Sequence, residues 1–319
     1  MRRKTSTTIG TLVAMSALLS VAACGSEEPA SSTSAKTSGK PTVCLIMKSL
    51  ANEYFQQMQA GATSHVKKLG SLKLEASGIQ NETDVDGQIA LVDKCVTEQV
   101  QAIVIAPADS KALVQSVVKA TKAGIKVVNI DVALDADALK AAGIDVPLVG
   151  PDNREGAKEV GAVLAKKLGT GGKVVILEGN PGADNALQRK KGYEDAVTAG
   201  GLKLLDSKTA HWETDEAHTV FGNMLTANPD IQGVMASNDS MALGVMKVIA
   251  ERKADIEVVS IDNIPAVKPY LTSGTMIATL DQFGSEQAAD GIDVALKMIG
   301  GKTVTGWQKT PLKVVASGS

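Results

Sequence analysis

The residues best suited to chemistry in this chain are carboxylates and amides that follow short apolar runs. Lys126–Ile130 leads into Asp131, Gly233–Ala236 leads into Ser237-Asn238-Asp239, and Glu257–Ile261 leads into Asp262. Carboxylates and amides accept hydrogen bonds, Arg and Lys donate them, and aromatic rings cover C–H faces. Such a set suits a polyhydroxyl ligand, a sugar or polyol. With only two Trp, three Tyr and three Phe in the chain, Tyr54-Phe55, just after the first apolar run, and Trp212, after Leu202–Ala210, stand out as rings for stacking or for core. An Asp behind a strand can equally cap the next helix, and that reading is strongest for Asp239, directly ahead of SMALGVM (Ser240 to Met246).

Signatures of catalysis are missing. No GxGxxG follows a strand, and neither GxxxxGK[ST] nor GxSxG occurs. Gly179-Asn180-Pro181-Gly182 permits a tight turn before a helix but lacks the Lys-Ser/Thr that holds phosphate and metal, and Gly169 to Lys173 reads as a helix C-cap and turn. His211 and His218 flank Glu213, Asp215 and Glu216 without the i, i+4 spacing of a helical metal pair, and acidic residues suit a first helical turn in any case. His65 stands alone on an amphipathic stretch. Neither an enzyme nor a resident metal or cofactor is expected.

The elements that must position these groups are bounded by composition. The 319 residues carry 33 basic against 35 acidic side chains and are 44% hydrophobic, a globular balance that argues against a disordered tail or a nucleic-acid binder. Residues 1–23 form a basic n-region and a short apolar h-region ahead of Cys24, the layout of an export signal too short to span a bilayer. Val21-Ala22-Ala23-Cys24 resembles the lipobox of bacterial lipoproteins, which makes Cys24 the expected lipidation site and the lipid the membrane link. Residues 24–40, rich in Ser, Thr and Pro, read as a flexible tether.

From Pro41 onward apolar runs (Val43–Met47, Ala102–Ala106, Lys126–Ile130, Val146–Val149, Val174–Leu177, Gly233–Ala236, Glu257–Ile261, Met276–Leu280) alternate with amphipathic stretches (52–69, 84–99, 110–123, 153–168, 185–199, 240–252). That rhythm predicts parallel sheets covered by helices on both faces. The pattern falls into two similar halves that break near Gly150-Pro151-Asp152-Asn153, so two α/β lobes with a cleft between them are expected; one large continuous sheet is the alternative. In such sheets the carboxyl ends of strands face the ligand crevice, which points three carboxylates, Asp131, Asp239 and Asp262, and the Asn238 amide to one place. Cys44 lies on the first strand and Cys95 on the helix crossing from the second strand to the third, which returns over the first. The two are expected to form a disulfide, or else to be two buried thiols.

Read in order, KSLANEYF (Lys48 to Phe55), APADSKAL (Ala106 to Leu113), VVNID (Val127 to Asp131), GPDN (Gly150 to Asn153), EGNPGADNALQRKKGY (Glu178 to Tyr193), ASNDSMALG (Ala236 to Gly244), VVSIDNIP (Val258 to Pro265) and ATLDQF (Ala278 to Phe283) resemble the type I periplasmic sugar-binding proteins of ABC importers, in the ribose- and allose-binding group. The resemblance runs from Thr42 to about Val315. It implies two doubly wound, Rossmann-like lobes that close on a ligand by hinge motion, residues 41–151 plus 283–310 and residues 152–282 plus 311–319, with the function of capturing a monosaccharide or polyol outside the cytoplasm and delivering it to a membrane permease. It implies ligand contacts at Lys48, Asn52, Tyr54, Phe55, Asp131, Arg189, Trp212, Asn238, Asp262 and Gln282, with the protein acting as a monomer. Lys48 stands where the ribose-binding members have Ser and the allose-binding protein has Lys. Val132 stands where those members carry Arg or Glu, so a ligand hydroxyl facing it is expected to lose a partner. A sensory protein for a sugar-like signal such as a furanosyl autoinducer is the alternative within the same fold. The export signal and the lack of an N-terminal helix-turn-helix exclude the fold-sharing repressors.

Overall fold

The computed structural model describes residues 39–318, so the signal (1–23), Cys24 and most of the tether lie outside the described residues. The remainder builds two six-stranded sheets rather than one large one. The first contains β1 (Thr42–Ser49), β2 (Lys73–Ile79), β3 (Ala102–Ile105), β4 (Lys126–Ile130), β5 (Leu148–Gly150) and β11 (Trp307–Lys309), in the order β11-β5-β4-β3-β1-β2, all parallel. The second contains β6 (Lys173–Glu178), β7 (Lys203–Thr209), β8 (Gly233–Ala236), β9 (Glu257–Ile261), β10 (Ala278–Asp281) and β12 (Lys313–Ala316), in the order β12-β10-β9-β8-β6-β7. Only β12 is antiparallel, pairing Leu280 with Val314. Central strands such as β1 (TVCLIMKS) and β3 (AIVI) are apolar on both faces because helices cover both faces.

Helices α1 (Glu53–Leu69), α2 (Val85–Thr97), α3 (Val114–Lys122) and α4 (Ala136–Ala142) connect the first series. Helices α5 (Asn153–Leu168), α6 (Asp184–Gly200), α7 (Thr214–Ala227), α8 (Asp239–Arg252) and α9 (Lys268–Ser273) connect the second. The long helix α10 (Gly284–Ile299) leaves the second sheet and packs on β3, β4 and α1 of the first, where His65 Nε2 meets Asp293 Oδ1 at 2.8 Å. The chain passes between sheets three times: after β5, after β10, and between β11 and β12. Cys44 and Cys95 are joined in a disulfide that ties α2 to β1.

Helix starts place several polar side chains. Asn52 caps α1 by accepting the Tyr54 amide at 3.0 Å, which sets Tyr54 and Phe55 in the first turn. At α8 the cap is Asn238, whose Oδ1 accepts the Met241 amide at 2.9 Å. Asp239, expected as that cap, instead turns into the core: its carboxylate accepts from Ser260 Oγ, from Thr279 Oγ1 at 2.8 Å and from the Ile264 amide at 2.9 Å. The residue one position earlier holds the extended φ, ψ a cap requires (−152°, 166°), so Asp239 falls inside the first turn.

Candidate functional site

The carboxyl ends of the strands in both sheets meet around one narrow cleft, whose side chains leave only about 20 Å³ free between them. The lining is Lys48 at the end of β1, Asn52, Tyr54 and Phe55 at the start of α1, Asp131 after β4, Arg189 on α6, Trp212 between β7 and α7, Asn238 after β8, Asp262 after β9 and Gln282 after β10. All ten residues singled out from the sequence thus come to one place. Two more line it that sequence reasoning missed: Glu82, in the loop after β2, and Asn185, one helical turn before Arg189.

Arg189 is the hub of the second sheet's half. Its Nε donates to Asn153 Oδ1 at 2.8 Å, its Nη1 to the Ser237 carbonyl at 2.7 Å and its Nη2 to Gln282 Oε1 at 3.0 Å. Asp262 Oδ1 lies 3.8 Å from Nη1 and accepts from Gln282 Nε2 at 2.6 Å. The guanidinium plane is therefore locked before any ligand arrives, as a donor fork must be if it is to act without reordering. On the other side Tyr54 Oη donates to Asp131 Oδ1 at 3.1 Å, with Gln287 of α10 donating to the same phenol oxygen at 3.2 Å. Tyr54 meets the Phe55 ring edge-on at 5.1 Å, so it orients Asp131 rather than offering a free face for stacking. Trp212 lies under both cations, 4.9 Å from Lys48 Nζ and 5.5 Å from Arg189 Cζ, measured to the ring centroid.

Backbone strain is concentrated here. Asp131 (φ 64°), Trp212 (72°), Asp262 (127°) and Asn263 (55°) all lie in the left-handed half of the map, at a cost of roughly 1–3 kcal/mol each. The indole of Trp212 rests so closely on Gly179 that a Cβ there would lie 2.1 Å from the ring. Burial pushes the Asp131 carboxyl up, against the pull of Arg189 and Lys48, and pushes Asp262 well above the carboxylate range despite Arg189. Burial also raises the Tyr54 phenol well above its usual value, aided by the charge of Asp131. Two buried polar atoms in the lining have no protein partner, the Trp212 Nε1 donor and the Asn185 Oδ1 acceptor. A hydroxyl, which both donates and accepts, can satisfy either.

Val132 does not line the cleft. It is wholly buried in the apolar core, and its carbonyl accepts from Asn129 Nδ2 at 2.7 Å. The ligand hydroxyl expected to face it therefore has no counterpart in the geometry. His211 pairs with Glu216 at 2.8 Å and His218 with Glu251 at 3.0 Å, each outside the cleft.

Residues 43–303 match the family described as a periplasmic binding protein domain. The chain is 45% identical over 302 residues to the D-ribose/D-allose-binding protein of Pseudomonas aeruginosa, a match spanning 92% of this chain and 95% of that one. A solute-binding protein of an ABC transporter from Burkholderia multivorans, with an unknown ligand built as α-D-erythrofuranose, aligns at a TM-score of 0.85 and 45% identity over 87% of this chain and 100% of its own. Another from Actinobacillus succinogenes, with bound D-allose, aligns at a TM-score of 0.83 and 37% identity over 87% and 98%. The chain belongs to the periplasmic binding protein family. Membership implies an extracytoplasmic location and points to solute binding rather than turnover.

Proposed function

We propose that this protein is the solute-binding subunit of an ABC importer, capturing one neutral monosaccharide or polyol in the cleft and handing it to a membrane permease. The observation that carries the reading is the pre-locked Arg189 fork facing Asp131 and Asp262, with Trp212 beside them and unpartnered donor and acceptor atoms in the same wall. The fork donates, the two carboxylates and Asn238 accept, and the rings of Trp212 and Phe55 cover C–H faces. Relatives named for ribose and allose support a five- or six-carbon ligand.

The two lobes are residues 41–151 plus 283–310 and 152–282 plus 311–319. They close by rotation about the three crossings, and the closed form is what the permease reads. The protein works as a monomer, exported on residues 1–23 and held at the membrane by a lipid on Cys24. Thermal shift against pentoses, hexoses, deoxy sugars, polyols and nucleosides tests the binding reading, because a ligand of the native state raises Tm by mass action. A shift with one sugar or polyol is expected; no shift across the panel, after refolding to strip carried-over ligand, overturns it. Metabolic labelling with a fatty acid tests the anchor, with label lost in Cys24→Ser.

A further inference from the structure

One of the expected ligand contacts, Lys48, already has a partner in the cleft. Lys48 Nζ lies 2.8 Å from Glu82 Oε2, and each side chain is about 97% buried or more (3% and 2% exposed). Asn52 Nδ2 donates to the other oxygen of Glu82 at 3.3 Å. The Glu82 amide donates to Glu213 Oε1 at 3.0 Å, tying the loop after β2 to the turn before α7 in the second half. Glu82 thus meets Lys48 and Asn52 on its side chain and the other sheet's half on its backbone. Burial pushes its carboxyl up while the Lys48 ammonium, in contact with it, opposes that push.

The charge count of the lining has a chemical consequence. Its cations are Lys48 and Arg189; its carboxylates are Glu82, Asp131 and Asp262. Lys48 is matched by Glu82, and Arg189 faces Asp262 at 3.8 Å, so neither cation of the lining stands without a carboxyl group beside it. A lysine at this position without a partner is a point charge suited to a carboxylate or phosphate on a ligand. With Glu82 in place that role is already taken, and an anionic ligand finds no cation of the lining free to pair with it.

We propose that Glu82 is a specificity-determining residue, which neutralises Lys48 and confines the cleft to uncharged carbohydrate, turning away aldonates, uronates and sugar phosphates. The proposal deepens the sugar-binding reading and rests on it. Glu82→Gln keeps the shape and the oxygen that accepts from Asn52 but removes the charge, leaving Lys48 to take an acid group from the ligand.

Calorimetric titration of the purified protein with D-ribose, D-allose, D-ribonate and D-glucuronate tests it. The wild type is expected to bind a neutral sugar and to disfavour both acids by a hundredfold or more. In E82Q the ratio of neutral to acidic affinity is expected to narrow by tenfold or more, with a gain for an acid in absolute terms. The double variant Lys48→Met, Glu82→Met removes both charges and should gain nothing for the acids. Glu82→Asp, which retracts the carboxylate by one methylene, should move the ratio the same way by less, and serves where E82Q does not fold. An unchanged ratio in E82Q and E82D, equal gains in the double variant, or a wild type that takes the acids as tightly as the sugars overturns the proposal and leaves the cleft a sugar site. A wild type that binds no neutral sugar overturns the sugar reading and this proposal with it.

Discussion

Asp239 is an expensive residue for this fold to keep. It is wholly buried, and burial drives its carboxyl up to about 7 although Ser260, Thr279 and the Ile264 amide hydrogen-bond its charged form. In the unfolded chain the same group titrates near ~3.9. Between those values the native state holds a proton that the unfolded state has released, so stability falls as pH rises through that window and levels off above it. Asp131, Asp262 and Glu82 are raised too and share the sign. Surface carboxylates such as Asp195, held down by Arg154, and Asp230, held down by Lys173, act only at lower pH, where they lose their ion pairs. The ligand-free protein is therefore expected to lose roughly 5 °C or more in Tm from pH 5 to 7.5, and Asp239→Asn to lose clearly less. Melting curves across that range decide it, and equal slopes would contradict the assignment. The network also explains what Asp239 is for: through Ile264 and Thr279 it braces the strained Asp262-Asn263 turn. The sequence made Asp131, Asn238 and Asp262 legible because each follows an apolar run. It did not separate Asn238 from Asp239 as the cap, since both residue types favour that position and only the backbone angles decide. Glu82 belongs to no motif and was invisible for that reason; Asn185 lies within EGNPGADNALQRKKGY, but no ligand contact was carried over to it.

At the scale of elements, legibility followed burial. Strands β1, β3, β4, β6, β8 and β9 are covered on both faces and read as continuous apolar runs. The edge strands β2 (KLEASGI) and β7 (KLLDSKT) are only half-buried, so polar residues interrupt them, and β11 is three residues long. The second strand was counted from the sequence but had no bounds there, so its carboxyl end stayed hidden, and Glu82 with it. Helix α10 escaped because its first half is small and polar, burying Gly284, Gln287, Ala288 and Gly291 rather than large apolar side chains. The turn after β6 tests how far an element positions the site. Gly179 has no Cβ because the Trp212 indole occupies its place, 2.1 Å from where the atom would be. Gly179→Ala is expected to displace the ring, to cost ~1–3 kcal/mol of stability and to weaken ligand binding by tenfold or more. Trp307 is 43% exposed and Trp212 buried, so a red shift of the buried tryptophan's emission reports the displacement directly.

For the whole molecule the informative contacts are those that join the loop after β3 in one half to the turn after β6 in the other. The Ser110 amide donates to the Gly182 carbonyl at 2.9 Å, and the Asp184 amide donates to Ser110 Oγ at 2.8 Å. Gly182 leaves room for the Asp109 side chain beside this contact, since a Cβ there would lie 2.1 Å from its carboxylate. Gly182→Ala should push the Asp109 side chain aside and weaken this contact between the halves. Its expected effect is a tenfold or greater rise in ligand dissociation rate with little change in the Tm of ligand-free protein; stopped-flow release and melting curves measure the two separately. The two-lobed plan was readable from the repeat of strand and helix on either side of Gly150, because each half must bury its own sheet. The three crossings carry a different lesson, about the order in which the molecule can be assembled. A chain growing from its N-terminus has made β6 through β10 by residue 281, yet the face of β3 and β4 that α10 covers stays bare until residue 299, and β11 joins only at 309. Neither half is complete before the other is nearly so: the first waits for β11, and the second then takes its own last strand, β12, at 313–316.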